Sequence, residues 1–137
     1  MLLVCVLLLP SAHEAAGAET TSRAFALRLR PNQDFAGALE TFCRERGIVS
    51  ARIHGGVGST IGARFADGRS VEPFATELAV SSGTIVSSTG GALEAELDIA
   101  LVDYLGGIAE GRLTRGDNPV LMTMELVLEV LGESARA

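Results

Sequence analysis

Near its C-terminus the chain alternates between apolar and other side chains over an unusually long stretch. Every second residue from 120 to 130 is apolar, namely Val120, Met122, Met124, Leu126, Leu128 and Val130. Residues two apart on a strand point to the same face of a sheet, so this pattern predicts a long strand with one buried face. Such a strand needs neighbours and a core to cover it. In this interpretation Met122 and Met124 are core residues rather than ligands of a cofactor.

Shorter segments of the same kind, separated by glycine-containing turns, predict further strands at 23–30, 48–53, 61–65, 76–80, 84–88, 93–102 and 108–114. One segment instead has helical spacing. Asn32 or Asp34 can cap its start, Gly47 can end it, and its apolar residues are Phe35, Leu39, Phe42 and Cys43. Together these elements predict an α+β fold, a mostly antiparallel sheet flanked by one or two helices.

The charge and composition of the 137 residues exclude several classes of function. All 11 basic side chains are arginines, so there is no lysine for a Schiff base, for pyridoxal phosphate or for a Walker-A loop. The net charge is −6, tryptophan is absent, and Tyr104 is the one tyrosine. Since affinity for nucleic acid depends on neutralising phosphates, an acidic chain of this kind is expected to bind DNA poorly.

The first 20 residues allow more than one interpretation. Residues 2–9 are apolar and precede Ala16-Gly17-Ala18, which resembles a signal-peptide cleavage site, but no basic residue comes before them. The alternatives are an extra N-terminal strand or a misassigned start codon. We divide the chain into this segment (1–20), one domain (21–132) and a tail (133–137). We expect the cytoplasm as location, secretion if 1–18 are cleaved, and no membrane association.

The order of these elements is similar to that of the plant-and-prokaryote-conserved domain family, abbreviated PPC or PCC, over about residues 23–131. The match is carried by Gly56-Val57-Gly58-Ser59, by Glu77-Leu78 with Gly83-Thr84-Ile85-Val86, and by Leu101-Val102-Asp103 with Gly106-Gly107. The resemblance implies a homotrimer. Bacterial members of the family are commonly described as DNA-binding by analogy with the plant proteins. In the plant proteins, however, a separate AT-hook makes the contact with DNA. This chain lacks the Arg-Gly-Arg-Pro core of an AT-hook.

The resemblance also implies where a metal site would lie and why this chain departs from it. Many bacterial members carry His-x-His on the long strand and another histidine after the next hairpin. Those positions hold Glu96, Asp98 and Arg112 here. Arginine has no lone pair with which to ligate a metal. We therefore expect Arg112 to pair with Glu96 and Asp98, replacing the metal electrostatically, and we expect no metal or other cofactor.

The remaining polar and glycine-rich segments leave several interpretations open. The row Glu94, Glu96 and Asp98 can be a solvated face, an arginine-paired site or, with His54, a metal site. The glycines at 55–58 can form a strand bulge or offer backbone N–H groups to an anion. Cys43 is expected in the core.

Together with the resemblance, these patterns predict a non-enzymatic PPC-like domain that acts by homo-oligomerisation and by binding a protein partner or small ligand. The candidate binding residues are Glu96, Asp98, Arg112, His54, Gly56 and Gly58, and no catalytic residue is identified. The alternative is an enzyme or metal-binding protein that uses a trimer cleft near Glu96, Asp98 and His54. Direct DNA binding is not expected, and a DNA-associated regulator, which the family label suggests, is the third alternative.

Overall fold

The computed structural model describes residues 3–10 and 21–134, which form one helix and one sheet of seven antiparallel strands. The elements in chain order are β1 Leu3–Pro10, β2 Thr21–Leu29, α1 Phe35–Glu45, β3 Ile48–Arg64, β4 Ser70–Ser87, β5 Leu93–Val102, β6 Ile108–Arg112 and β7 Val120–Glu133. The strand order is β1-β2-β7-β3-β4-β5-β6. This confirms the predicted α+β class. No helix among the described residues is long and apolar enough to cross a membrane.

The core lies between α1 and one face of the sheet, because alternate strand residues turn their side chains toward the helix. Phe35, Leu39 and Phe42 of α1 are buried in one apolar cluster with residues of β2, β3, β4, β5 and β7, and Ala109 of β6 packs against this cluster. Cys43 is buried there as well, and its burial raises the pKa of the thiol to about 12. The thiol is therefore protonated and unreactive at neutral pH, as expected of a core cysteine.

Two pairs of predicted strands prove to be single long strands. Residues 48–53 and 61–65 belong to β3, and residues 76–80 and 84–88 belong to β4, apart from Phe65 and Ser88. The prediction was wrong there because glycine was taken to end a strand. Instead, Gly55 adopts a φ of 68° and forms a bulge within β3, after which pairing with β7 continues. Strand β6 is shorter than predicted and ends at Arg112.

Met122 is not a core residue, which corrects the interpretation of the alternating segment. Gly58 pairs with Met124 and Thr60 with Val120, so β7 advances four residues where β3 advances two. This irregularity turns Met122 outward and leaves 67% of it exposed, whereas Met124 is fully buried. The alternation predicts the strand correctly but contains no sign of the bulge.

The ends of α1 are fixed by the residues that the sequence indicated. The side chain of Asp34 accepts a hydrogen bond from the Gly37 N–H at 2.8 Å, and Gly47 has a φ of 68° just beyond the helix. The other carboxylate oxygen of Asp34 accepts from the Asn118 N–H at 3.0 Å. Asn118 is almost completely buried and also binds Arg64 and Thr114. The helix start is thereby tied to the loop before β7.

The apolar N-terminal segment contributes the edge strand β1, which pairs with β2 from Leu3↔Arg28 to Pro10↔Thr21. Ala16-Gly17-Ala18, where a signal peptide would be cleaved, lies outside the described residues.

Helix α1 also supplies a hydrogen-bond acceptor to the part of strand β5 that lacks a neighbouring strand on one side. Because β6 pairs with β5 only from Asp98 onward, the backbone of residues 93–96 faces no neighbouring strand on that side. Glu40 of α1, 9% exposed, accepts from the Ala95 N–H at 2.8 Å. Arg115 donates to Glu40 at 2.9 Å and to the Leu93 carbonyl at 3.2 Å. Two side chains therefore replace the missing strand.

We predict that Glu40→Ala lowers the free energy of unfolding by about 1–3 kcal/mol, because it leaves the buried Ala95 N–H without an acceptor. Glu40→Gln keeps an acceptor and should cost less. The matched control is Glu45→Ala at the exposed end of α1, which should change stability by less than about 0.5 kcal/mol. Denaturant melts measure all three variants. A loss for Glu40→Ala no larger than that for Glu45→Ala would contradict this role.

Candidate functional site

The charged candidate residues Glu96, Asp98 and Arg112, and His54, lie on the sheet face that α1 leaves uncovered, which we call the open face. In β3 the side chain of Ile53 is buried toward the helix, whereas those of Arg52 and His54 point the opposite way and are exposed. In β5 the same alternation places Leu97 in the core and Asp98 on the open face. The open face thus collects the charged positions that the sequence identified.

Arg112 contacts both carboxylates that were expected to face it. Asp98 and Arg112 are directly paired across β5 and β6, and the guanidinium donates to Asp98 through Nε at 3.1 Å and Nη2 at 3.0 Å. Nη1 lies 3.3 Å from Oε2 of Glu96. The side chains of all three residues are 36–49% exposed, so water screens this cluster. The cluster therefore fixes the positions of these three side chains but contributes little to the free energy of unfolding.

The hydrogen bonds from Arg112 lower the pKa of Asp98 below its ordinary value, and a weaker hydrogen bond from Ser82 acts in the same direction. Conversely, hydrogen bonding to Asp98 raises the pKa of Arg112 further. The pair is therefore ionised at neutral pH.

His54 lies on the open face but contacts a different carboxylate. Its Nε2 is 2.6 Å from Oε1 of Glu129 on β7, and half of its side chain is exposed. Within one chain the structure does not join His54 to Glu96 and Asp98. Among the described residues, no group of three His, Cys, Asp or Glu side chains is arranged to hold a metal ion. The metal-binding alternative therefore finds no ligand set in the part of the chain that is described.

Gly56 and Gly58 have packing roles at the close approach of β3 and β7. A Cβ at Gly58 would lie 2.3 Å from the carbonyl oxygen of Thr123, and one at Gly56 would lie 3.1 Å from Leu126 and from Val80. A larger residue at Gly58 would force the strands apart. This supports the bulge interpretation of the glycine-rich segment over anion binding.

The glycine bulge also shapes a groove of about 460 Å³, which we call the His54 groove. Its lining is mostly apolar, and its polar side chains are Arg28, His54 and Glu125. The other lining residues are Ala26, Leu27, Gly55, Gly56, Val57, Leu126 and Val127. Arg28 forms an ion pair with Glu125 at 2.6 Å. A second hollow of about 350 Å³ contains Val57 and Gly58 and continues across the sheet to Val102 and Ile108. The apolar part of the open face is therefore continuous.

An exposed apolar surface that the sequence did not predict lies around the β5–β6 turn. Leu105 and Ile108 are 79% and 81% exposed, and Val102 is also exposed. Nearby, Phe74 and Tyr104 are half exposed and pack together with ring centroids 4.6 Å apart. The signal in the sequence is that Tyr104-Leu105 and Ile108 flank a Gly-Gly turn, where polar residues are usual. Exposed apolar surface of this kind marks a contact site.

The Plants and Prokaryotes Conserved (PCC) domain family matches this chain over residues 16–132. No curated protein matches the chain.

Solved structures of similar fold come from bacteria and an archaeon. A hypothetical protein from Salmonella enterica is 27% identical, with a TM-score of 0.63 and coverage of 80% of this chain and 78% of its own. A plant- and prokaryote-conserved (PPC) protein from Pyrococcus horikoshii is 18% identical, with a TM-score of 0.67 and coverage of 88% and 87%. A candidate DNA-binding protein from Bacteroides thetaiotaomicron is 20% identical, with a TM-score of 0.63 and coverage of 91% and 86%. The two structures below 25% identity show the shared fold alone.

We predict that Arg112→Ala raises the pKa of Asp98 toward the ordinary aspartate value of about 3.9, because the main hydrogen bonds to the ionised form are lost. A depressed carboxyl pKa stabilises the folded state above the ordinary value, and this stabilisation is lost as the pH falls through the folded-state pKa. The stability difference between wild type and variant should therefore be small near pH 7 and vanish at acidic pH.

Carboxyl-detected NMR titration measures the pKa of Asp98 directly. The control is Arg69→Ala, because Arg69 lowers the pKa of Asp67 instead and should leave Asp98 unchanged. An Asp98 pKa that is the same in wild type and Arg112→Ala would show that the ion pair does not form in solution.

Proposed function

This chain belongs to the Plants and Prokaryotes Conserved domain family, and on that basis we propose that it acts as a non-enzymatic homotrimer. The assembled protein binds a protein partner or a small ligand on the open face of its sheets. Self-association is the primary activity, and ligand binding depends on it.

The observation that carries this proposal is the amount of apolar surface left on the open face. Val57 is 61% exposed in the middle of the sheet, and Ile108 and Leu105 are exposed still further at its edge. A single helix covers the other face only. Since soluble monomers rarely expose a continuous apolar surface, contact with another copy explains why these residues are apolar.

The charged part of the open face supports ligand binding rather than metal chemistry. Arg112, at a position where the resemblance implies a metal-ligating histidine, binds Asp98 and Glu96 instead. We place the ligand contacts at this cluster and at His54, while Gly56 and Gly58 shape the groove between the strands. The metal-binding alternative would need a set of ligands that residues 3–10 and 21–134 of one chain do not bring together.

The DNA-binding description of a structural neighbour is not carried over to this chain. A trimer multiplies the net charge of −6 by three, and Arg28, Arg112 and Arg115 on the described surface are paired with carboxylates. Electrostatic repulsion from phosphates therefore opposes direct binding to a duplex.

We predict that light scattering at micromolar concentration gives about three times the chain mass of 14.2 kDa. Val57→Glu should shift the mass toward the monomer, because it places a charge in the apolar part of the open face. The control Val86→Glu changes a residue that is 43% exposed on β4 but lies outside the two hollows, so it should leave the mass unchanged. A monomer mass for the wild type would overturn the proposal.

A further inference from the structure

We propose that the second hollow of the open face binds a linear aliphatic diamine, with one ammonium group at Glu77 and the other at Glu110. We call this site the alanine hollow, because Ala79 and Ala100 line it. The inference rests on the proposed binding of a small ligand to the open face and names a ligand class for it. The site is separate from Arg112 and His54, and it does not require self-association.

The alanine hollow has an apolar floor of short side chains. Ala79 of β4 is paired directly with Ala100 of β5, and both line the volume of about 350 Å³. Val57, Val102 and Ile108 line it as well. Because an alanine side chain is shorter than those of valine and isoleucine, the floor is recessed in the sheet surface. Methylene groups that lie on it lose contact with water, and this burial favours binding.

Two carboxylates flank this floor on opposite sides. Glu77 of β4 is in register with Val102 of β5, and Glu110 of β6 is in register with Ala100. Both glutamates are exposed. Neighbouring strands lie about 4.8 Å apart, and residues two apart on a strand lie about 6.8 Å apart. The two glutamate Cα atoms are separated by two strand spacings and two residues, which amounts to about 12 Å.

The negative charge at the alanine hollow is not balanced. Within the part of the chain that the structure describes, neither glutamate has an ion-pair partner. The one arginine of β6, Arg112, is engaged by the carboxylates of β5. At the His54 groove, by contrast, Glu125 is paired with Arg28. A cation is therefore the ligand that complements the alanine hollow.

The separation of the two carboxylates decides which kind of cation fits. Strand side chains stand roughly perpendicular to the sheet, so the carboxylates are about as far apart as the Cα atoms. They cannot both ligate one metal ion, since oxygen ligands lie within about 2.6 Å of such an ion. A charge-assisted hydrogen bond of about 2.8 Å at each end leaves about 6 Å between two nitrogen atoms. A chain of four methylene groups spans this distance across the apolar floor.

NMR titration with 1,4-diaminobutane tests the site through the methyl groups of Ala79, Ala100 and Ile108. We expect these methyl signals to shift. Either Glu77→Gln or Glu110→Gln should weaken binding by about two- to five-fold, the effect of one exposed ion pair. 1-Aminobutane has one ammonium group and should bind the wild type about as weakly as the diamine binds either variant. Butanedioate, of similar length and opposite charge, should cause no shift.

The matched control is Glu45→Gln on α1, which removes the same charge on the far side of the sheet and should leave the affinity unchanged. Ala79→Leu changes an exposed residue, fills the floor and should abolish the diamine-dependent shift of Ala100.

Three results would overturn the diamine site. These are equal affinities for the diamine and 1-aminobutane, shifts of the same size at Ala26 and Val127 of the His54 groove, or no shift at the alanine hollow. Light scattering of the same samples separates this site from self-association. A trimer without the shifts would overturn the diamine site alone, and a monomer with them would overturn self-association alone.

Discussion

One helix of 11 residues faces a sheet of seven strands, and this imbalance governs the rest of the molecule. The helix buries one side of the sheet and leaves the other to water or to another molecule. Near Arg112 the uncovered side carries an exposed ion pair with Asp98, and near His54 it carries a close contact between the imidazole and Glu129. Around Val57 and Ile108 it is apolar. An open face with both properties is suited to assembly in one part and to ligand binding in the other.

The helix is held by polar contacts at both its start and its middle. Asp34 links the first turn to Asn118, and Glu40 reaches the uncovered edge of β5, where Arg115 completes the contact. An uncovered strand edge invites pairing with other chains. Here the side chains of Glu40 and Arg115 already bind the N–H of Ala95 and the carbonyl of Leu93. A strand of another chain therefore cannot pair at this edge of β5, and association through the open face has no competing contact there.

The sequence was sufficient to predict what depends on local periodicity and on pairs of charges. It predicted α1, the strand β5, the fold class, and the contact of Arg112 with Glu96 and Asp98. It did not predict that β3 continues through Gly55 or that Met122 faces solvent, because both depend on how far neighbouring strands are shifted at a bulge. Such shifts in strand register depend on close packing between strands, as at Gly58 against Thr123. The hydrophobic pattern of a single sequence does not indicate where they occur.

The contact of Glu40 with Ala95 was missed for a related reason. A glutamate in the middle of a helix normally faces solvent. Here β6 is too short to pair with Ala95, so the N–H of Ala95 needs another acceptor, and Glu40 provides it. The His54 groove was likewise missed, since its lining comes from β2, β3 and β7 and the surface exists only once these strands have paired. The apolar surface around the β5–β6 turn did leave a signal, because Leu105 and Ile108 flank a Gly-Gly turn.

Hydroxyl-radical footprinting of the assembled protein tests most directly whether the open face is covered by other copies. Leu105 and Ile108 are more exposed in the single chain than Leu131, which lies outside both hollows and away from the β5–β6 turn. Burial in the assembly predicts that Leu105 and Ile108 are oxidised more slowly than Leu131 at micromolar concentration, and that the order reverses on dilution to monomers. Faster oxidation of Leu105 and Ile108 at every concentration would contradict the account.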